Sequence, residues 1–108
     1  MIEATSVNCV IYHADCTDGF GAAYSAWKQL GNRAEYYACK HGSPPPDIKD
    51  KNVVILDFSF DNATTKKMIE DANSLLVIDH HKYQIILFDT QYLNHHYKHY
   101  LLKITSYL

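Results

Sequence analysis

The feature that most constrains this chain is an apolar run that ends abruptly in three polar side chains. Residues 76–78 are Leu, Val and Ile, as in a buried strand, and Asp79, His80 and His81 follow at once. A strand covered on both faces is apolar throughout, so a carboxylate and two imidazoles at its end need another explanation. Such side chains are common ligands of divalent metal ions. The sequence therefore predicts a metal site where this strand ends.

Two earlier apolar runs, at residues 9–12 and 53–56, end in similar side chains. The carboxyl ends of parallel strands meet at one edge of a sheet, and ligands bind there. Taken alone, each polar residue is typical of a solvated turn or a helix cap. The set instead favours two ions about 3.5–4 Å apart that clamp a phosphate. The candidate ligands in these two earlier loops are His13, Asp15, Asp18 and Asp57.

The order of the predicted elements indicates the fold class. Predicted strands alternate with helical patterns, and this alternation is typical of right-handed crossovers between parallel strands. We therefore predict an α/β fold with a doubly wound, mainly parallel sheet and helices on both faces. The predicted strands cover residues 7–12, 34–39, 52–57 and 75–79, and the predicted helices cover residues 19–30 and 62–72.

The first predicted helix has apolar residues at a helical spacing. Phe20, Ala23, Trp27 and Leu30 fall on one face, which predicts that this face packs against the sheet. Asp18 is placed to cap the helix at its N-terminus. The glycines and alanines of residues 19–23 indicate close packing of helix on sheet and only weakly resemble a dinucleotide loop.

Composition limits the class of protein. The 108 residues permit one domain, and the content of 47% hydrophobic and 20% charged residues is that of an ordinary globular chain. A net charge of −2 without a basic stripe argues against a surface for long nucleic acids. No apolar run is long enough to span a bilayer. The three cysteines have no C-x-x-C spacing and are odd in number, which indicates free thiols in a reducing compartment. The sequence also shows no secretory signal, so we predict a cytoplasmic protein.

Residues 83–108 differ in composition from residues 1–82. They contain no Ala, Gly, Pro or Glu, and five of the nine tyrosines fall there. We interpret them as a divergent tail, either unrelated sequence on a truncated core or part of a natural minimal form. An unrelated tail would leave a sheet edge exposed and favour self-association, whereas the minimal form would cover that edge. A terminal helix is predicted from the spacing of Leu93, Tyr97, Leu101, Ile104 and Leu108.

The three strand-end motifs resemble motifs I, II and III of the DHH phosphoesterase superfamily. That superfamily includes RecJ-type exonucleases, short-oligonucleotide and cyclic-dinucleotide phosphodiesterases, and family II pyrophosphatases. The resemblance covers residues 7–82, with residues 13–19, Asp57 and residues 79–81 as the three motifs. It implies a manganese-dependent phosphoesterase with two ions, for which Mg²⁺ is a substitute. The implied substrate is a phosphorylated small molecule or a short oligonucleotide.

The resemblance also implies a role for each motif residue. His13 and Asp15 would hold one Mn²⁺, Asp18 and His80 would hold the other, and Asp57 would bridge the two ions. An additional residue separates Asp15 from Asp18 in comparison with the common first motif, so the division of ligands within this loop stays open.

The third motif carries the remaining roles that the resemblance implies. Asp79 would orient the histidines, and His81 would contact the phosphate and stabilise charge on its oxygens. Hydrolysis would then need no covalent enzyme intermediate. The family also has a later metal-binding Asp and a second domain, and neither is recognisable in this sequence. Two alternatives therefore remain: a non-catalytic metal-binding remnant of such an enzyme, and a receiver domain with Asp57 as its phosphoacceptor.

Overall fold

The computed structural model describes residues 6–79, 84–89 and 100–103 of the chain. These ranges contain six strands and two α-helices, with a short 3-10 turn at Gly31–Arg33. The elements are β1 (Cys9–His13), α1 (Thr17–Leu30), β2 (Glu35–Cys39), β3 (Asn52–Leu56), α2 (Asn62–Asp71), β4 (Ser74–Asp79), β5 (Gln84–Asp89) and β6 (Tyr100–Lys103).

All the described strands form one sheet in the order β2-β1-β3-β4-β5-β6. β1 pairs in parallel with both β2 and β3, and β3 pairs in parallel with β4. β5 and β6 are added in antiparallel fashion. The predicted α/β fold with a mainly parallel sheet is therefore confirmed. The chain passes from β1 to β2 on one side and then returns to β3 on the other, so the winding direction reverses between β1 and β3.

The sheet carries an apolar core on each of its faces. One core contains Ile11 of β1 with Met68 and Ile69 of α2, and the other contains Val10 of β1 with Leu30 of α1. Neighbouring residues of a strand point to opposite faces, which explains why Val10 and Ile11 belong to different cores. The continuous apolar runs seen in the sequence are thus used on both sides of the sheet.

The packed face of α1 differs from the predicted one. Ala23 and Leu30 are buried as expected, but Phe20 is 68% exposed and Trp27 is 52% exposed. The buried side contains small residues, since Gly19 and Ala23 both lie on it. The helix approaches the sheet too closely for large aromatic rings to fit between them. Small residues therefore form the packed face in the first half of α1, and Leu30 packs at its C-terminal end.

The two helices differ at their N-termini. Asp18 does not cap α1, because the N-cap is Cys16 and Asp18 lies in the first turn. Asp61 is the N-cap of α2, and its carboxylate accepts a 2.7 Å hydrogen bond from the Thr64 backbone N–H. That hydrogen bond also lowers the pKa of Asp61. Among the described residues, neither helix is long and apolar enough to cross a lipid bilayer.

The outer edge of β4 is paired with β5 along its whole length, from Ser74 opposite Asp89 to Asp79 opposite Gln84. β5 therefore covers this edge of β4 within the residues that the structure describes. The predicted terminal helix is wrong at Tyr100–Lys103, which form β6. The sequence Ile-Ile-Leu-Phe at residues 85–88 has high strand propensity, and an open edge supplies hydrogen-bond partners that a period-based prediction ignores. Leu93, Tyr97, Ile104 and Leu108 lie outside the described residues.

The two-sided core leads to a stability prediction. Leu75 of β4 is fully buried, so Leu75→Ala should lower the free energy of unfolding by about 2–5 kcal/mol through lost burial and a residual cavity. Phe20→Ala is the control and should change it by less than about 0.5 kcal/mol, because that ring lies in solvent. Urea unfolding monitored by circular dichroism measures both values. A large loss for Phe20→Ala would show that α1 packs through its aromatic face after all.

Candidate metal centre

The candidate site lies at the carboxyl edge of the sheet, between the ends of β1 and β3. His13 is the last residue of β1, and Asp57 directly follows β3. The winding direction of the sheet reverses between these two strands, so their following loops diverge and leave a crevice. Open α/β sheets bind ligands at this switch point. The fold therefore places two of the predicted ligands where a ligand site is expected.

Three side chains meet at this crevice, and they carry three kinds of donor atom. The imidazole of His13, the thiol of Cys16 and the carboxylate of Asp57 offer ligand atoms that all lie within 4.8 Å of one another. The Cys16 Sγ–H donates to Asp57 Oδ2 at 3.5 Å. Asp57 is only 6% exposed, and the other two are half-buried. Such a set is suited to one divalent metal ion.

The backbone around the site adopts unusual conformations. Asp15 and Asp57 have φ values of 54° and 56°, in the left-handed region that non-glycine residues rarely occupy. The flanking chain is held by hydrogen bonds, from the Ala14 N–H to the Cys39 carbonyl at 2.8 Å and from the Asp57 N–H to the Ile78 carbonyl at 2.9 Å. Conformations of this kind cluster at ligand sites, where surrounding structure compensates for their strain.

The imidazole of His13 is held between aromatic rings. Its centroid lies 5.4 Å from that of Phe58 and 5.3 Å from that of His41. The Nδ1 atom is buried and makes no hydrogen bond within the part of the chain that the structure describes. Burial of an unpaired nitrogen costs free energy, which a metal ion bound to the ring would offset. This orphaned nitrogen fits a metal ligand better than a structural histidine.

A cavity of about 410 Å³ opens beside Asp57. One wall is the first turn of α1, and the dipole of a helix favours an anion at its N-terminus. The opposite wall is formed by the ends of β3 and β4. The cavity is lined by Thr17, Asp18, Gly21, Ala22, Leu56, Asp57 and Ile78.

The other predicted site residues lie at different distances from the three-donor cluster. Asp15 forms an ion pair with Lys40 at 2.8 Å, and its side chain is 76% exposed. The hydrogen bond from Lys40 lowers the pKa of Asp15. Asp18 lines the cavity, and Asp79 is buried at the end of β4. The predicted residues His80 and His81 lie outside the described residues.

Cys16 is the donor that sequence reasoning missed. It lies between Asp15 and Asp18, where the first motif is one residue longer than the common form, and this altered spacing was the available signal. The other two cysteines are in the core, where burial raises the pKa of Cys9 to about 11 and also raises that of Cys39. Only Cys16, of the three, has a thiol placed at the crevice.

Gly19 determines how closely α1 approaches β1. A Cβ atom at this position would overlap the carbonyl oxygen of His13 and lie 2.9 Å from the His13 Cβ. The backbone carbonyl cannot rotate away as a flexible side chain can. No other side chain fits here without moving the helix from the strand that carries His13. Gly21 differs, since a Cβ there would meet nothing within 4 Å.

This contrast leads to a prediction with a matched control. Gly19→Ala should lower the free energy of unfolding by about 1–3 kcal/mol, because it forces the backbones of α1 and β1 apart. Gly21→Ala should raise it by up to about 1 kcal/mol, because alanine is the better helix former. Thermal and urea unfolding of the two variants test this directly. Equal effects in both would contradict the close approach.

Comparisons with known proteins add one relative. No family model matches the chain, and no solved structure matches it. The chain is similar to the uncharacterized protein R106 of Acanthamoeba polyphaga mimivirus, with 30% identity over 92 aligned residues, covering 70% of this chain and 22% of that protein. It therefore spans about a fifth of the length of this curated relative, and it is similar to one segment of a larger viral protein.

Proposed function

We propose that this protein is a metal-dependent phosphoesterase that hydrolyses phosphodiester bonds of short oligonucleotides or nucleotides. The observation that carries the proposal is the convergence of His13, Cys16 and Asp57 at the switch point, beside a cavity walled by a helix N-terminus. The motif resemblance implies two bound ions and Mn²⁺ as the metal, with Mg²⁺ as a substitute. The substrate class and the number of ions rest on the resemblance of the three motifs to the DHH superfamily.

The described residues fit a metal ion at the first position. His13 and Asp57 would hold it, and the orphaned Nδ1 of His13 supports this assignment. Asp15 would become a further ligand by releasing Lys40. This exchange costs little free energy, because the ion pair between Asp15 and Lys40 is exposed to solvent. A bound divalent ion polarises a phosphoryl oxygen and lowers the pKa of a coordinated water molecule.

The remaining residues would bind and orient the phosphate. Thr17 and Asp18 of the first turn of α1 line the cavity, where backbone N–H groups of this turn would hold phosphate oxygens. Asp18 and Asp57 line the same cavity, which supports a second ion bound by both carboxylates between protein and phosphate. In this proposal His80 completes that second position, Asp79 orients the histidines, and His81 contacts the phosphate. The sequence motif alone supports the roles of these three residues.

A non-catalytic metal-binding protein is the second candidate. One observation favours it: three donors suffice for a single ion, while the carboxylate of Asp15 is directed to Lys40. The receiver-domain alternative is disfavoured by the antiparallel pairing of β5 with β4, because a receiver has a parallel strand at that position. We also propose a cytoplasmic location, on the basis of the free thiols.

Substitution of Asp57 tests the proposal. Asp57→Asn should weaken Mn²⁺ binding at least about tenfold and abolish spin coupling between two ions, because it removes the charge and one oxygen ligand. Asparagine tolerates a positive φ, so the variant should still fold. Titration with Mn²⁺, followed by electron paramagnetic resonance of free and coupled metal, measures both effects. Hydrolysis of short oligonucleotides by the same samples measures activity.

Asp50→Asn is the matched control, because Asp50 is exposed and also has a positive φ, of 61°. It should leave metal binding and activity unchanged. Two coupled ions with hydrolysis in the unmodified protein, both lost in Asp57→Asn, would support the phosphoesterase. One ion without hydrolysis would favour the non-catalytic candidate. Unchanged Mn²⁺ affinity in Asp57→Asn would remove Asp57 from the site.

A further inference from the structure

The metal centre contains a sulfur donor that the strand-end motifs do not account for. Cys16 is the N-cap of α1, with an extended backbone (φ −131°, ψ 127°), and its side chain makes no capping hydrogen bond to the helix. The thiol is instead directed to the carboxylate of Asp57, 41 residues away in the sequence. A thiol with no capping role, aimed at the principal metal ligand, points to a function at the site.

We propose that Cys16 is a thiolate ligand of the ion held by His13 and Asp57, and that it makes this position selective for Zn²⁺, Co²⁺ or Fe²⁺ over Mn²⁺ and Mg²⁺. The inference rests on the metal centre of the proposed function and names the ion class of one of its two positions. The inference adds Cys16 as a third ligand, so that one nitrogen, one sulfur and one oxygen atom bind the ion. This set gives a metal preference that carboxylate ligands alone would not give.

The distances agree with shared coordination. Zinc binds thiolate sulfur at about 2.3 Å and carboxylate oxygen at about 2.1 Å, so two such ligands at a tetrahedral angle lie about 3.6 Å apart. The observed separation of Cys16 Sγ from Asp57 Oδ2 is 3.5 Å. The His13 donor completes a set within 4.8 Å, which small side-chain movements can close around one ion. The metal-free hydrogen bond thus holds the pair close to its coordination geometry.

Metal binding releases one proton from the Cys16 thiol. In the described arrangement the Cys16 thiol donates its hydrogen to Asp57. On metal binding the S–H bond breaks, the sulfur–metal bond forms, and the proton passes to solvent. The N-terminal end of α1 stabilises negative charge, which the thiolate ligand carries. No oxidant or other reactant is needed.

The metal preference follows from donor chemistry. Mg²⁺ and Mn²⁺ prefer oxygen ligands, whereas thiolate favours softer ions such as Zn²⁺, and imidazole is suited to both groups. Zn²⁺ and Co²⁺ also bind nitrogen and oxygen sites more tightly than Mn²⁺, and thiolate increases the difference. A site with one donor of each kind should therefore discriminate against Mn²⁺ in competition.

Cobalt is the probe that tests this, because a cobalt–thiolate bond produces a charge-transfer absorption in the near ultraviolet. The full chain, kept anaerobic and free of added thiols, is titrated with Co²⁺ while the absorption spectrum is recorded. We expect the charge-transfer band in the unmodified protein. Cys16→Ser should lose the band and bind Co²⁺ at least about tenfold more weakly, while its Mn²⁺ affinity changes less than about threefold.

Cys39→Ala is the control, since that cysteine is buried in the core and should leave the band intact. Co²⁺ bound without the charge-transfer band, or a band that persists in Cys16→Ser, would overturn the assignment of Cys16. Either result would leave the phosphoesterase proposal standing if Mn²⁺ still binds through Asp57. Failure of every metal ion to bind the folded chain would overturn both proposals together.

Discussion

The contact between Gly19 and the His13 carbonyl is the constraint on which the rest of the site depends. It lets the first turn of α1 lie directly against the end of β1, with no side chain between them. The same contact turns the chain back within a few residues of the strand, which brings Cys16 beside Asp57 and leaves the start of α1 as a wall of the cavity. The small packed face of α1, and its exposed aromatic rings, follow from this one close approach.

The sequence predicted the parallel strands, both helices and the position of Asp57, because each of these features is encoded locally. A continuous apolar run identifies a strand buried on both faces, and the residue after it must lie at the carboxyl edge. The face of α1 was predicted wrongly because periodicity weighs hydrophobicity and disregards the distance between helix and sheet. The strands after β4 were missed because their formation depends on an open edge elsewhere in the fold.

Within the site, the limits of sequence reasoning lie in backbone conformation. The motif places His13, Asp15 and Asp18 close together in the chain, but it does not say which of them faces the crevice. A positive φ at Asp15 accompanies an exposed carboxylate that contacts Lys40, while Cys16 turns inward. The three-donor cluster therefore contains the sulfur of Cys16 in addition to His13 and Asp57, and it does not contain Asp15. The chemical identity of the site is decided by how the loop turns.

The backbone conformation restricts substitution at Asp57 far more than at Cys16. The left-handed conformation of Asp57 is one that non-glycine residues other than Asp and Asn rarely adopt, so few substitutions keep this turn. Cys16 has an extended backbone that any residue adopts, and it contributes no cap to the helix. Natural variation can therefore exchange sulfur for oxygen or nitrogen at this position without refolding the chain. Under the proposed assignment of Cys16, metal preference can change by substitution of this one residue on an unchanged fold.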